Sequence, residues 1–176
     1  MSEPELFTRG GDAKASKLYH YTECGLDNIY LLDGFEIEEV DGEEFVSVHD
    51  VDGLWKAIGL NLVANRKTFS PTEIRFIRSQ MDKTQAELAS LLRVDDQTVA
   101  RWEKKKCKIP GPADLALRFL FLASPVAQPE GGEALASLHK MVEKIVETDS
   151  PSSDVLHFAS HDGRWEETQQ RTALAV

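Results

Sequence analysis

The chain has 176 residues, 41% hydrophobic and 28% charged, with 20 Lys and Arg against 30 Asp and Glu and a formal net charge of −10. This length suits one domain or two small ones, and the acidic total argues against a non-specific nucleic-acid coat or an anionic membrane surface. Apolar stretches such as Leu115 to Ala123 fall short of a membrane span, no secretory leader pattern is visible, and Cys24 and Cys107 form no disulfide framework, so a cytoplasmic protein is expected.

Residues 1–17 are polar and aperiodic and read as a disordered tail. Residues 18–64 read as an acidic β-rich domain with a short helix. From Leu18 to Trp55 there are eleven acids and no Lys or Arg. Leu18 to Tyr21 and Ile29 to Leu32 are short strand-like runs. Phe35 to Val48 alternates apolar residues with acids around Asp41-Gly42, a hairpin signal because a type I′ turn needs positive φ. Asp50 to Leu62 reads as a short helix with Leu54, Trp55 and Ile58 on one side, and Gly59 weakens its end.

Residues 65–123 read as a bundle of capped helices. Ser70-Pro71-Thr72-Glu73 is a capping box with Pro at the first helical position, followed by a buried stripe of Ile74, Ile77 and Met81. Thr84-Gln85-Ala86-Glu87 is a second capping box. After a short turn at Arg93-Val94, Asp95 or Asp96 caps a third helix through Glu103. A loop with Pro110 and Pro112 leads to a helix over Ala113 to Ala123, with Leu115, Phe119 and Leu122 expected inward. Ala64 to Leu122 carries twelve bases and seven acids, a net +5, while the rest of the chain carries −15.

Residues 124–132 read as a linker, and residues 133–170 as a helix plus β-hairpin. The helix carries the stripe Leu135, Leu138, Met141, Val142 and Ile145, a candidate dimer surface that packing within the subunit could equally use. The second hairpin turns at His161-Asp162-Gly163, and residues 171–176 form a tail. The expected fold class is α+β: a small N-terminal β-rich domain, a central all-α helix-turn-helix bundle, and a C-terminal helix plus β-hairpin.

The third helix of the central unit carries the chemistry. Val99 and Trp102 face the first two helices, leaving Gln97, Thr98 and Arg101 to enter a DNA major groove. Gln and Arg can each make paired hydrogen bonds to base edges, and Thr can meet a thymine methyl or a phosphate. Asp96 either accepts from a cytosine amino group or caps the helix. Lys104, Lys105, Lys106 and Lys108 follow directly, where they suit a phosphate backbone better than bulk solvent. Trp102 reads as core rather than as a stacking platform.

The run Lys83 to Ala89 together with Val94 to Glu103 resembles the lambda-repressor/Cro-like, or XRE-type, helix-turn-helix family over roughly 55 residues. The resemblance implies that Gln85 contacts a phosphate and braces the recognition helix, and that Asp96, Gln97 and Thr98 read bases with Arg101 one turn on. The implied DNA-binding set is thus Thr84 and Gln85 on one helix, Asp96, Gln97, Thr98 and Arg101 on the next, and Lys104, Lys105 and Lys106 after it. That family commonly has Gly where Lys105 stands. Either the turn differs, or a left-handed non-Gly residue costs about 1 kcal/mol. A weaker resemblance, of the whole arrangement, is to MqsA-type antitoxins and regulators, whose paired zinc-binding Cys-x-x-Cys motifs are missing here.

No enzyme is expected, since neither a Gly-x-Ser-x-Gly elbow nor a Gly-rich phosphate loop is present. No cofactor is expected, and a metal site from His20, Cys24 and His49 is the lesser reading. The expected function is a DNA-binding transcriptional regulator, a repressor that binds a palindromic operator on double-stranded DNA as a homodimer. The alternative is an antitoxin-like protein whose acidic N-terminal region sequesters a basic protein partner while the central unit represses its own operon.

Overall fold

A computed structural model of the chain describes residues 18–41, 43–127 and 155–168. The expected tails, the amphipathic stripe from Leu135 to Ile145 and most of the linker lie outside these residues. The fold is mixed α+β, with two small sheets and five helices among the described residues.

Three-residue strands β1 (Tyr19–Tyr21) and β2 (Ile29–Leu31) pair antiparallel. Their apolar residues alternate, so Tyr21, Ile29 and Leu31 are buried on one side. The C-terminal hairpin, β5 (Leu156–His161) and β6 (Arg164–Glu167), joins the same sheet because β5 runs parallel to β2. The resulting order is β1-β2-β5-β6. Strands this short hold few ladder bonds each, so the sheet depends on the apolar face it presents to the helices.

Strands β3 (Phe35–Val40) and β4 (Glu43–Val48) form a separate two-stranded ribbon, with Val40 opposite Glu43. Asp41 takes the left-handed conformation at φ 54° that the two-residue connection requires. Phe35 and Val48 pack on the core at the base of the ribbon. Val40 and Phe45, farther out, are exposed.

Helix α1 (Val51–Asn65) lies against the inner face of the four-stranded sheet. Leu54, Ile58 and Leu62 are buried, and Trp55 donates its indole N–H to the Tyr21 hydroxyl at 2.7 Å. The helix runs past Gly59 rather than weakening there. A Cβ at that position would meet the Phe121 ring at 2.5 Å, so the glycine permits close contact with α5 (Gly111–Ala123).

Three further helices, α2 (Pro71–Gln80), α3 (Gln85–Leu92) and α4 (Asp96–Glu103), lie between α1 and α5 in sequence. Both expected capping boxes form, at Ser70/Glu73 and Thr84/Glu87. Ile74, Ile77 and Met81 are buried as the periodicity requires. One buried cluster runs from Tyr21 through α1 to Phe121 and Trp165, and its members come from both sides of residue 64.

Helix α5 is turned differently from the expectation. Leu115 and Phe119 are 36% and 39% exposed, while Leu117, Phe121 and the charged pair Asp114 and Arg118 are buried. Arg118 reaches across to the end of α1, donating to the Val63 carbonyl at 2.6 Å, and its Nε donates to Asp114 at 2.6 Å. The other Asp114 oxygen accepts from the Phe69 backbone N–H at 3.1 Å, and the Arg118 guanidinium lies 4.2 Å from the Phe69 ring centre. These bonds satisfy a C-terminal carbonyl of α1 and an amide just before α2. They draw the polar residues inward and rotate two large apolar side chains out.

Candidate nucleic-acid interface

Helices α3 and α4 are joined by the three residues Arg93 to Asp95. Arg93 adopts φ 55°, and Val94 N–H donates back to the Ala89 carbonyl at 2.9 Å, closing α3 tightly. Asp95 then caps α4, accepting from the Gln97 N–H at 2.9 Å. Asp96 bends its carboxylate onto the same N–H at 2.8 Å. Two carboxylates at this helix start complement its dipole.

The inner side of α4 is held by Val99 and Trp102, both buried, and by Glu103, whose side chain is 1% exposed. Glu103 accepts from Arg78 Nε at 2.6 Å and Nη2 at 3.1 Å, and from Gln85 Nε2 at 2.8 Å. Arg75 lies 3.6 Å away. Arg78 also donates to the Lys83 carbonyl at 2.7 Å, just before α3. One carboxylate thus ties the end of α4 to α2 and to the first residue of α3. Burial alone pushes the Glu103 pKa up, but the hydrogen bonds from Arg78 and Gln85, with the charges of Arg78 and Arg75, outweigh it and hold the carboxyl below its usual range.

Gln85 therefore braces α4 through Glu103. Thr84 is engaged in its capping box, where its hydroxyl and N–H both donate to Glu87 at 2.8 and 2.7 Å. Those bonds hold the Glu87 carboxyl below its usual range. Asp96, Gln97 and Arg101 are exposed, and Thr98 is half-buried. Lys104, Lys105 and Lys106 are exposed directly after them.

Lys105 resolves the two alternatives for the end of α4. It sits at φ 60°, its N–H donating to the Trp102 carbonyl at 3.3 Å, and Lys106 N–H reaches the Arg101 carbonyl at 2.9 Å. This is the Schellman arrangement, with a lysine in the place that glycine fills most cheaply. Lys105→Gly is expected to raise stability by about 1 kcal/mol, measured as a higher urea midpoint. An unchanged or lower midpoint would mean that the lysine stem makes compensating contacts.

Several bases counted toward the positive central segment do not face solvent. Arg66 pairs with Glu73 at 3.0 Å, both almost fully buried, and Arg118 and Arg78 are engaged as above. Burial raises the Glu73 pKa, and the Ser70 and Arg66 hydrogen bonds only partly offset it. With Arg66, Arg78 and Arg118 matched by Glu73, Glu103 and Asp114, the remaining bases of the segment outnumber its remaining acids by nine to four. The excess of +5 is therefore carried outside the buried pairs. Sequence reasoning missed Glu103 as the hub of this region. Its position beside buried Trp102, at the end of a short helix, was the available signal.

Among the described residues no group of His, Cys, Asp and Glu is arranged to hold a metal ion, and no helix is long and apolar enough to cross a membrane. Comparison of the chain with protein-family models, with curated proteins and with solved structures gives no match.

Proposed function

We propose that this protein is a sequence-specific regulator of transcription that binds double-stranded DNA through α4, acting as a repressor on a palindromic operator as a homodimer. The observation that carries the reading is the Glu103 anchor. It fixes the inner side of α4 to α2 and α3 while Gln97 and Arg101 stay exposed, with a lysine run immediately beyond. A preorganised short helix with bidentate side chains is what major-groove reading needs. One such helix reads only a few base pairs, which favours two copies about one DNA turn apart.

The test is a gel-shift titration on an operator selected from genomic DNA by the purified protein. Gln97→Ala and Arg101→Ala are each expected to weaken specific binding by about 1–3 kcal/mol. Lys104→Ala is expected to weaken binding to all sequences alike and to flatten its salt dependence. If neither Gln97→Ala nor Arg101→Ala changes affinity, α4 is not the reading helix.

A second reading draws on the β3–β4 ribbon, which carries Glu36, Glu38, Glu39, Asp41, Glu43 and Glu44 without a base, beside exposed Val40 and Phe45. An antitoxin-like protein would present such a surface to a basic protein partner. Capture of a basic protein encoded next to this gene by the full chain, and its loss in Glu38→Lys, would support that reading.

A further inference from the structure

A cavity of about 660 Å³ opens between the start of α2 and the segment that follows α4. Phe69, Ile74, Trp102 and Ile109 form its apolar floor. Lys105, Lys106 and Lys108 line it as well and are exposed, as is the Cys107 thiol between them. The volume is that of a small-molecule site, and an apolar floor with a few polar groups at the rim is the usual composition of one. Among the described residues no carboxylate lines this cavity. The Glu73 carboxylate close by is already engaged with Arg66 and with the Ser70 N–H. Lys105 also occupies the left-handed position where glycine costs less, a local strain of the kind that collects at working sites.

We propose that this cavity binds a small organic anion with an apolar body, an aryl or alkyl carboxylate, whose head group pairs with the lysines while its body covers Trp102 and Ile109. The charge is complementary, and the floor would add affinity that a bare phosphate could not use. The same Lys105 and Lys106 are assigned above to the DNA backbone, so the ligand would compete with DNA for them and act as an effector. This second half of the proposal rests on the DNA-binding reading.

Cys107 supplies the reporter, because the half-buried Cys24 thiol is pushed up to about 11 by burial and stays largely protonated and slow to react. The full chain is treated with iodoacetamide, and alkylation of Cys107 is followed by mass spectrometry with 2-naphthoate as the probe. Saturable slowing of at least tenfold is expected. The neutral 2-naphthamide and inorganic phosphate should give little slowing, and Lys108→Glu should require at least tenfold more 2-naphthoate. Absence of protection, or equal protection by phosphate, would overturn the site. This assay contains no DNA, so it stands apart from failure of the DNA-binding reading. With operator DNA in hand, saturating 2-naphthoate should weaken binding at least fivefold. Occupancy without any change in DNA affinity would overturn the competition.

Discussion

Replacing Glu103 with alanine is expected to destabilise the protein by about 3–5 kcal/mol, the cost of leaving partners of a buried ion pair uncompensated. Arg78 would lose both of its carboxylate contacts, at 2.6 and 3.1 Å, and Gln85 its partner at 2.8 Å. Such a loss is a large share of the roughly 5–15 kcal/mol that stabilises a typical domain. Urea unfolding measures it directly, and a change below about 1 kcal/mol would show that the network is dispensable. Glu103→Gln keeps the shape and some hydrogen bonds, so it should lose less.

The same residue gives the acid response a definite sign. The folded pKa of Glu103 lies below its unfolded value. Its contribution is therefore complete above the unfolded value, about 4.3, and is lost as the pH falls through the lower folded value. A plot of melting temperature against pH should fall less steeply on its acid side for Glu103→Gln than for the parent. Equal slopes would assign the acid sensitivity to other carboxylates.

Arg118→Met is the second large effect, also expected to cost about 3–5 kcal/mol. The methionine would fill much of the space but donate to neither Asp114 nor the Val63 carbonyl. Asp114 would then be left buried with the Phe69 N–H as its remaining partner of those described. Adding Asp114→Ala removes the stranded charge, so the double variant should recover part of the loss. If the double variant were as unstable as the sum of both single ones, the two side chains would not act as a pair.

Legibility in the sequence followed the range of the interactions. The caps at Ser70, Thr84 and Asp95 are local, since each bond spans two or three residues; the first two were readable from spacing, and the third was narrowed to Asp95 or Asp96. The turns that include Asp41 and Asp162-Gly163 were readable for the same reason. The rotation of α5 was not, because Leu115 and Phe119 look like the natural inward face. Only the partners of Asp114 and Arg118, some 45 and 55 residues away, reverse it. Of the expected outward set, Gln97 and Arg101 are exposed and Thr98 is half-buried. The inner anchor of α4 was not legible, because Glu103 acts through residues 18 and 25 positions earlier. Charge counting likewise could not separate the buried arginines from the exposed bases.

The parallel pairing of β2 with β5 sets the order in which the molecule can be assembled. The Ser160 amide meets the Asp33 carboxylate across 127 residues of chain. On a ribosome, the N-terminal strands and the sheet-facing side of α1 would emerge long before the hairpin that completes their layer. Contacts so distant in sequence slow the search for the native state, and the uncovered apolar surface would invite aggregation while it waits. The caps of the central helices are short-range bonds and can form early, well before the sheet that covers α1 is complete.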